Sequence, residues 1–470
     1  MTRAVSSGCE RLAASGARGT VVVIGGGLAG TLTVWALRGL AARVIVIERD
    51  RYPVEPQFRS GVPQARHAHL VLEAGHRALE AMLPGVRDQL HAAGATTVAM
   101  SRDLRWLSSA GWMADHDSGL GFLSCTRPVL DHVVRARVQS EAGISRIDDA
   151  DVGVVDGTEV QFWDGCEVTG LLGTAHQVHG VRVRRRGKRQ SESTIAAQWV
   201  IDASGRSSRV PRWLEELGCA PPPTSQINAG VGYRSRLVTR PPTDLGFRAL
   251  YLQTRAPDSP FTAAVLPVER GRWLVSVGVM NSGVGADEQG FDAIVSQLRD
   301  PIVADTLART EPASETWGFR PGASVRRRYE RRAPEGLVAI GDAACTFNPV
   351  YGQGCTVAIL GADGLREAVL RQGGISEKAA RLARHRIAAV AAPAWMISSS
   401  EDLRFPATTG GSANAYTRTQ HHYLDRVLAA STTDTRVTAA FHEVMSLVAP
   451  PTRLFRPQIL GRVLRGSGVR

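Results

Sequence analysis

The chain has 470 residues, enough for two or three domains around a large core, and 56 Lys plus Arg against 44 Asp plus Glu give it a formal charge of +12. The excess is arginine apart from Lys188 and Lys378, densest at Arg184-Arg185-Arg186 and Arg326-Arg327-Arg328 without interleaved aromatics. That reads as solvated faces rather than a nucleic-acid module, while the absence of a long apolar run argues against a transmembrane segment and scattered cysteines without a CxxC pair argue against a zinc site.

Met1 to Arg18 has three arginines but no apolar core, so residues 1–19 read as a disordered lead and not a secretory signal. Thr20-Val21-Val22-Val23-Ile24 is the β-branched run of a strand buried on both faces. Gly25-Gly26-Gly27-Leu28-Ala29-Gly30 follows it. Gly25 makes the tight turn, Gly27 lets the backbone approach a pyrophosphate, and Gly30 lets a helix over about 28–40 pack on the sheet. The free N–H groups at that helix start favour phosphate charge. A second strand, Arg43 to Ile47, ends at Glu48, whose carboxylate suits ribose hydroxyls and disfavours a 2′-phosphate, so the dinucleotide is FAD or NAD.

Beyond a proline-rich stretch, helices are expected over about 68–82 and 124–142, the second opened by Thr126-Arg127-Pro128. Alternating runs between Thr158 and Val183 read as hairpin strands, and Trp199 to Gly205 returns to strand-then-turn. A β-rich middle spans about 226–325, with strong strands at Phe261 to Pro267 and Arg272 to Val279. Gly336 to Ile340 is a further buried strand, running into Gly341-Asp342-Ala343-Ala344-Cys345-Thr346-Phe347-Asn348-Pro349-Val350-Tyr351-Gly352-Gln353-Gly354. Asp342 then stands at a strand's C-terminal end and can accept from a ribityl hydroxyl, while Pro349 fixes a turn. Gly352-Gln353-Gly354 opens a helix over about 355–370 whose N-terminus would stabilise anionic reduced flavin. The tail from about residue 379 reads as helices.

The fold class expected is α/β: a Rossmann-like FAD-binding domain in parts 20–90, 124–215 and 326–375, with a substrate-domain excursion at 91–123. An inserted β-rich substrate domain at 216–325 and a helical C-terminal region at 376–470 complete it.

Four segments carry a family resemblance: the glycine cradle; Arg59-Ser60-Gly61-Val62-Pro63-Gln64-Ala65-Arg66-His67-Ala68-His69; residues 336–354; and residues 395–406 with the tail. From about residue 20 to 465 the chain resembles the single-component flavin monooxygenases of the para-hydroxybenzoate hydroxylase fold. Within them it is most similar to the bacterial epoxidases of polyether and prenylated natural-product pathways. The resemblance implies that Gly25, Gly27, Leu28, Ala29, Gly30, Glu48 and Arg49 hold the ADP half of FAD, with Arg127 at the ribose or pyrophosphate and the Val168 backbone at the adenine. It implies Gly341, Asp342 and Pro349 along the ribityl chain and Gly352, Gln353 and Gly354 at the ring, with Arg59 and Gln64 in a segment beside the flavin. The family's Asp-Gly motif reads Asp202-Ala203-Ser204-Gly205-Arg206-Ser207-Ser208-Arg209 here, an altered spacing in which Asp202, Gly205 and Arg209 remain candidates. A second glycine cradle for NAD(P)H is missing, as is the tryptophan-x-tryptophan signature of halogenases.

The implied cycle passes hydride from NAD(P)H to FAD and forms a C4a-hydroperoxyflavin with O2, which epoxidises an alkene of a lipophilic polyene or prenylated intermediate. Aromatic hydroxylation, which profits from a base, and saturation of prenyl double bonds are the alternatives. A non-catalytic flavin-binding protein is disfavoured by the complete ring motif. For a catalytic base the candidates are His67, His69 and Tyr233, each of which could equally be a structural group. The partners expected are a lipophilic small molecule and O2 in a cytoplasmic setting, without nucleic acid, metal or transmembrane segment. The basic surface and tail would also suit a carrier protein or peripheral membrane contact.

Overall fold

The computed structural model describes residues 19–144, 152–186, 192–280 and 290–465. The expected disordered lead, apart from Gly19, and the residues Cys9 and Lys188 lie outside them. Strand Thr20–Ile24 is buried along its whole length and pairs in parallel with Arg43–Ile47 on one side and Trp199–Asp202 on the other. Leu337–Ala339 extends the sheet beyond Trp199–Asp202 and Thr158–Trp163 extends it beyond Arg43–Ile47, both in parallel, with Gly153–Val155 antiparallel at the edge. Helices Leu28–Leu37 and Gly354–Arg371 pack against each other beside this sheet. Both begin near strand C-terminal ends, so two positive helix ends face one crevice.

Two expected boundaries move. Leu70–Leu72 is a strand, paired with Phe122 to Ser124, so the helix expected from Ala68 starts at Glu73 and runs to Met82. The helix expected from Ser124 likewise begins at Arg127 and ends at Glu141, because Gly121–Ser124 is the centre of that small sheet. Thr158–Trp163 is a hairpin strand as expected, with Gly153–Val155 as its partner, and it also pairs in parallel with Arg43–Ile47; a second hairpin joins Cys166–Gly173 to Val178–Arg185. Short apolar runs leave strand and helix ambiguous until a partner strand is known.

The second large sheet has the order Trp317–Phe319, Gly232–Thr239, Arg272–Val279, Phe261–Val268, Ala249–Leu252, Leu104–Leu107. The last strand comes from far upstream and runs parallel to Ala249–Leu252. The side chains alternate between two cores. One holds Val265, Trp273, Val275 and Val277 with Phe291 and Ile294. The other joins Leu104, Trp106 and Leu266 to Leu428, Phe441 and Val444 of the C-terminal helices Ala415–Ala430 and Thr435–Met445. Helix Glu377–Asp402 has 26 residues, about 39 Å of rise, and contains Pro393. Near its start Arg384 Nη1 donates to Leu337 O at 2.8 Å on the nucleotide sheet, while its last turn reaches the space under the second sheet.

Candidate functional site

A cavity of about 660 Å3 runs between the two sheets. At one end lies the first glycine turn. Gly25 has φ +96° and donates its N–H to Ile47 O at 2.8 Å. A Cβ on Gly30 would fall well inside contact with Gly25 O, so this glycine packs the helix beneath the turn and does not line the cavity. A Cβ on Gly27 would meet nothing within 4 Å, which leaves open space where a pyrophosphate would lie. Glu48 is 6% exposed and accepts from Gly26 N at 2.8 Å and Asp50 N at 2.9 Å. Arg49, Val168, Leu28, Ala29 and Gly205 line the same end. Arg209 also lines it, and its Nη2 donates to Val168 O at 2.9 Å.

Further along, Arg127 and Asp342 face the cavity from opposite chain segments. Burial alone would lower the Arg127 pKa, but Asp131, which accepts from its Nε at 2.7 Å, raises it. Burial raises the Asp342 pKa against the opposing pull of Arg206, Arg127 and Arg327. Gly341 and Pro349 line the wall next to Asp342, then Gly352, Gln353 and Gly354 at the start of helix Gly354–Arg371. Gln353 is fully buried, yet neither its Oε1 nor its Nε2 has a protein partner among the described residues. A buried amide costs free energy unless it is bonded. The open space at Gly27 at one end and this orphaned amide at the other fit an extended dinucleotide with a polar ring, and FAD supplies both. The residues that would hold it are Gly25, Gly27, Glu48, Arg127, Asp342 and Gly352 to Gly354.

Past the ring end the cavity opens into an apolar chamber. Its walls include Leu104, Trp106 and Leu266 of the second sheet region and Leu428, Phe441 and Met445 of the C-terminal helices. His67, His69, Gln64 and Tyr233 border it. Burial lowers both histidine pKa values to about 4, assisted at His67 by His69 and at His69 by Arg127. Tyr233 is raised by burial and its hydroxyl has no protein partner. All three are therefore neutral near pH 7. Beneath the ring motif, Asp402 is fully buried and accepts from Asn348 Nδ2 at 2.7 Å and from Tyr351 Oη at 3.1 Å. Burial raises its pKa to about 7 against those two hydrogen bonds.

Besides Gly30, two expected cofactor contacts lie behind the cavity wall. Asp202 is fully buried and spends its carboxylate on Ser204 Oγ and Ser208 Oγ, both at 2.5 Å, so it shapes the turn that carries Gly205. Arg59 sits 3.4 Å from Glu48 and 3.8 Å from Asp131, backing the acid instead of lining the cavity. The sequence reading missed Arg206, which lines the cavity and donates to Ala323 O at 2.6 Å, and it missed Tyr351 with Asp402. Arg206 stands inside the altered Asp-Gly segment and was within reach. Asp402 lies in the segment 395–406 that carried the resemblance, which gave it no role.

Residues 18–372 match the profile of a family described as FAD binding domain. Protein Rv3254 of Mycobacterium tuberculosis is 28% identical over 454 residues, covering 94% of this chain and 92% of its own. Among solved structures, p-nitrophenol 4-monooxygenase PnpA from Pseudomonas putida aligns with a TM-score of 0.62 at 17% identity, over 91% of this chain and 98% of that one. The myxobacterial chondrochloren halogenase CndH aligns with a TM-score of 0.59 at 17% identity, over 92% and 98%. At such identity these structures establish a shared fold, the para-hydroxybenzoate hydroxylase type. With more than half of the chain inside the family profile and a cavity built for the dinucleotide, the protein belongs to the FAD binding domain family and binds FAD.

Proposed function

We propose that the protein is an FAD-dependent monooxygenase that uses NAD(P)H and O2 to epoxidise an alkene of a lipophilic polyene or prenylated substrate. The observation that carries this reading is the apolar chamber joined to the flavin-ring end of the cavity. When bound, FAD supplies the redox chemistry, taking hydride equivalents from NAD(P)H and activating dioxygen. The chain's own residues position and exclude. Asp342 and Arg127 would hold the cofactor's polar middle, and the N-terminus of helix Gly354–Arg371 places positive dipole at the ring. Leu104, Trp106, Leu266, Leu428, Phe441 and Met445 exclude water and offer an alkene dispersion contacts. An alkene needs no deprotonation, which accords with the two weakly basic histidines at the chamber.

One observation favours aromatic hydroxylation instead. Tyr351 lines the cavity and donates to Asp402, a carboxylate able to take a proton near neutral pH, and such a relay could help a phenol ionise. Purified protein loaded with FAD should oxidise NAD(P)H under air faster when farnesol or a prenylated arene is added. The epoxidase reading expects a product with one added oxygen in an oxirane. Oxygen on an aromatic ring would select the hydroxylase, and a product gaining hydrogen alone would select the reductase. Protein that stays colourless after incubation with FAD would end all three readings.

A further inference from the structure

The last turn of helix Glu377–Asp402 brings a carboxylate to the chamber. Glu401 lines the cavity one turn beyond Ile397, which lines it too and packs in the apolar cluster of Trp106, Leu428 and Phe441 together with Tyr251 and Leu424. Glu401 Oε1 accepts from Arg404 Nε at 2.8 Å, while its Oε2 has no protein partner among the described residues. Arg404 is itself shared, with Nη1 2.9 Å from Asp425 and Nη2 donating to His421 O at 3.1 Å. Tyr251 and Tyr351 also line the cavity. Burial raises the pKa of both hydroxyls, helped at Tyr351 by Asp402 and at both by the Glu401 charge, so the carboxylate stands close to each. Behind them Asp402 Oδ2 and the Tyr233 hydroxyl are buried without a protein partner. Burial raises the Tyr233 pKa, Arg206 opposes the rise, and Asp402 adds to it.

This pole of the chamber is acidic and phenolic, and it sits at the negative end of a helix dipole. A carboxylate oxygen only accepts hydrogen bonds, so what Glu401 Oε2 can take from the chamber is a donor. We infer that Glu401 anchors the polar head of the substrate, an alcohol or ammonium group on a lipophilic chain, by accepting its O–H or N–H at Oε2. The inference rests on the flavoenzyme reading and adds to it that the lipophilic substrate is amphipathic. The chain would lie along Ile397, Leu424 and Trp106, and the head would meet Oε2 with the Tyr251 and Tyr351 hydroxyls beside it. A carboxylate head is the wrong occupant, because Glu401, Asp402 and the helix end all disfavour negative charge there. A purely apolar chain is a poor one, since it would cover Oε2 and desolvate it without offering a bond.

The test measures, by equilibrium dialysis, the binding of farnesol, farnesylamine and farnesyl methyl ether to FAD-loaded wild type, Glu401→Gln and Glu401→Leu. Wild type should bind at least one of the two donors about ten- to hundredfold more tightly than the ether, the worth of a hydrogen bond to a charged group. Glu401→Leu should bind the ether at least as well as wild type does and lose that preference. Glu401→Gln keeps a carbonyl acceptor at the same reach, so it should retain part of a preference for farnesol and lose one for farnesylamine. A wild-type preference greater for farnesylamine identifies the head as a cation, and one as great or greater for farnesol identifies a hydroxyl. A purely structural role through Arg404 would instead weaken all three ligands alike, and Arg404 keeps Asp425 and His421 to hold the helix ends. The inference is overturned by wild type that binds the ether as tightly as both donors, by a preference that survives in Glu401→Leu, or by an equal loss of all three ligands in both variants. Should Glu401→Leu fail to fold, a donor-to-ether ratio unchanged in Glu401→Gln overturns it equally. Protein that holds FAD yet binds none of the three overturns it together with the lipophilic-substrate reading, whereas wild type that cannot hold FAD ends the flavoenzyme reading on which it rests.

Discussion

At the scale of single residues, two glycines three positions apart do different work. Gly30 has no room for a methyl group, because a Cβ there would collide with the Gly25 carbonyl, whereas Gly27 faces open space. Gly30→Ala should therefore lower the stability of the apoprotein, at the upper end of about 1–3 kcal/mol, with loss of FAD binding as a consequence. Gly27→Ala should leave the apoprotein's thermal midpoint nearly unchanged and weaken FAD about tenfold or more, because the methyl occupies the space of the pyrophosphate. Thermal unfolding without FAD, followed by fluorescence titration with FAD, separates the two; a Gly27→Ala protein that binds FAD normally would contradict the cradle. Both glycines were legible in the sequence because a turn, its glycines and the helix it feeds are neighbours along the chain. The surroundings of His67 were not, since its Nδ1 lies against Ser235, 168 residues away.

At the scale of elements, the parallel strands were readable from their β-branched runs, and the positions that failed were those where a partner strand decides. Leu70–Leu72 reads as the first turn of a helix until Phe122 to Ser124 is placed beside it. The chamber was harder to foresee, because its walls combine apolar residues from widely separated elements, none unusual in its own segment. One of those elements is pinned by an identifiable device. Asp434 caps helix Thr435–Met445, accepting from Arg436 N at 2.9 Å and Val437 N at 3.2 Å, and also accepts from Arg462 Nη1 at 2.8 Å on the last helix. Asp434→Ala should cost about 1–2 kcal/mol. It should also loosen the chamber through Phe441 and Met445 while leaving FAD affinity unchanged. Denaturant unfolding and FAD titration on the same preparation check both halves.

At the scale of the whole molecule, buried groups set how stability follows pH. His67, His69 and His442 have folded pKa values of about 4, 4 and 3, below the ordinary 6.5, so the unfolded chain binds more protons in that interval. Their contribution is complete above pH 6.5 and is lost as pH falls through 4 towards 3. Asp402 acts in the opposite sense. Its folded pKa of about 7 exceeds the ordinary 3.8, so its contribution is fully present below pH 4 and is lost as pH rises through 7. Asp402→Asn should thus match wild type near pH 4 and exceed it by up to roughly 4 kcal/mol above pH 7. Chemical denaturation of the apoprotein at pH 4, 6 and 8 measures that gap, and a gap independent of pH would refute the assignment. The resemblance covered residues 395–406 without giving Asp402 a role, because its bonding comes from the distant turn at Asn348 and Tyr351. The family profile stops at residue 372, and the chamber's helical wall, with Leu428, Phe441 and Met445, is written entirely after it. The chamber is thus written in two stretches of one chain, with Leu104, Trp106 and Leu266 inside the profile and Leu428, Phe441 and Met445 beyond it. A change confined to the second stretch would therefore remake only one wall of the chamber, and the strands that carry the other wall would still constrain what fits against it.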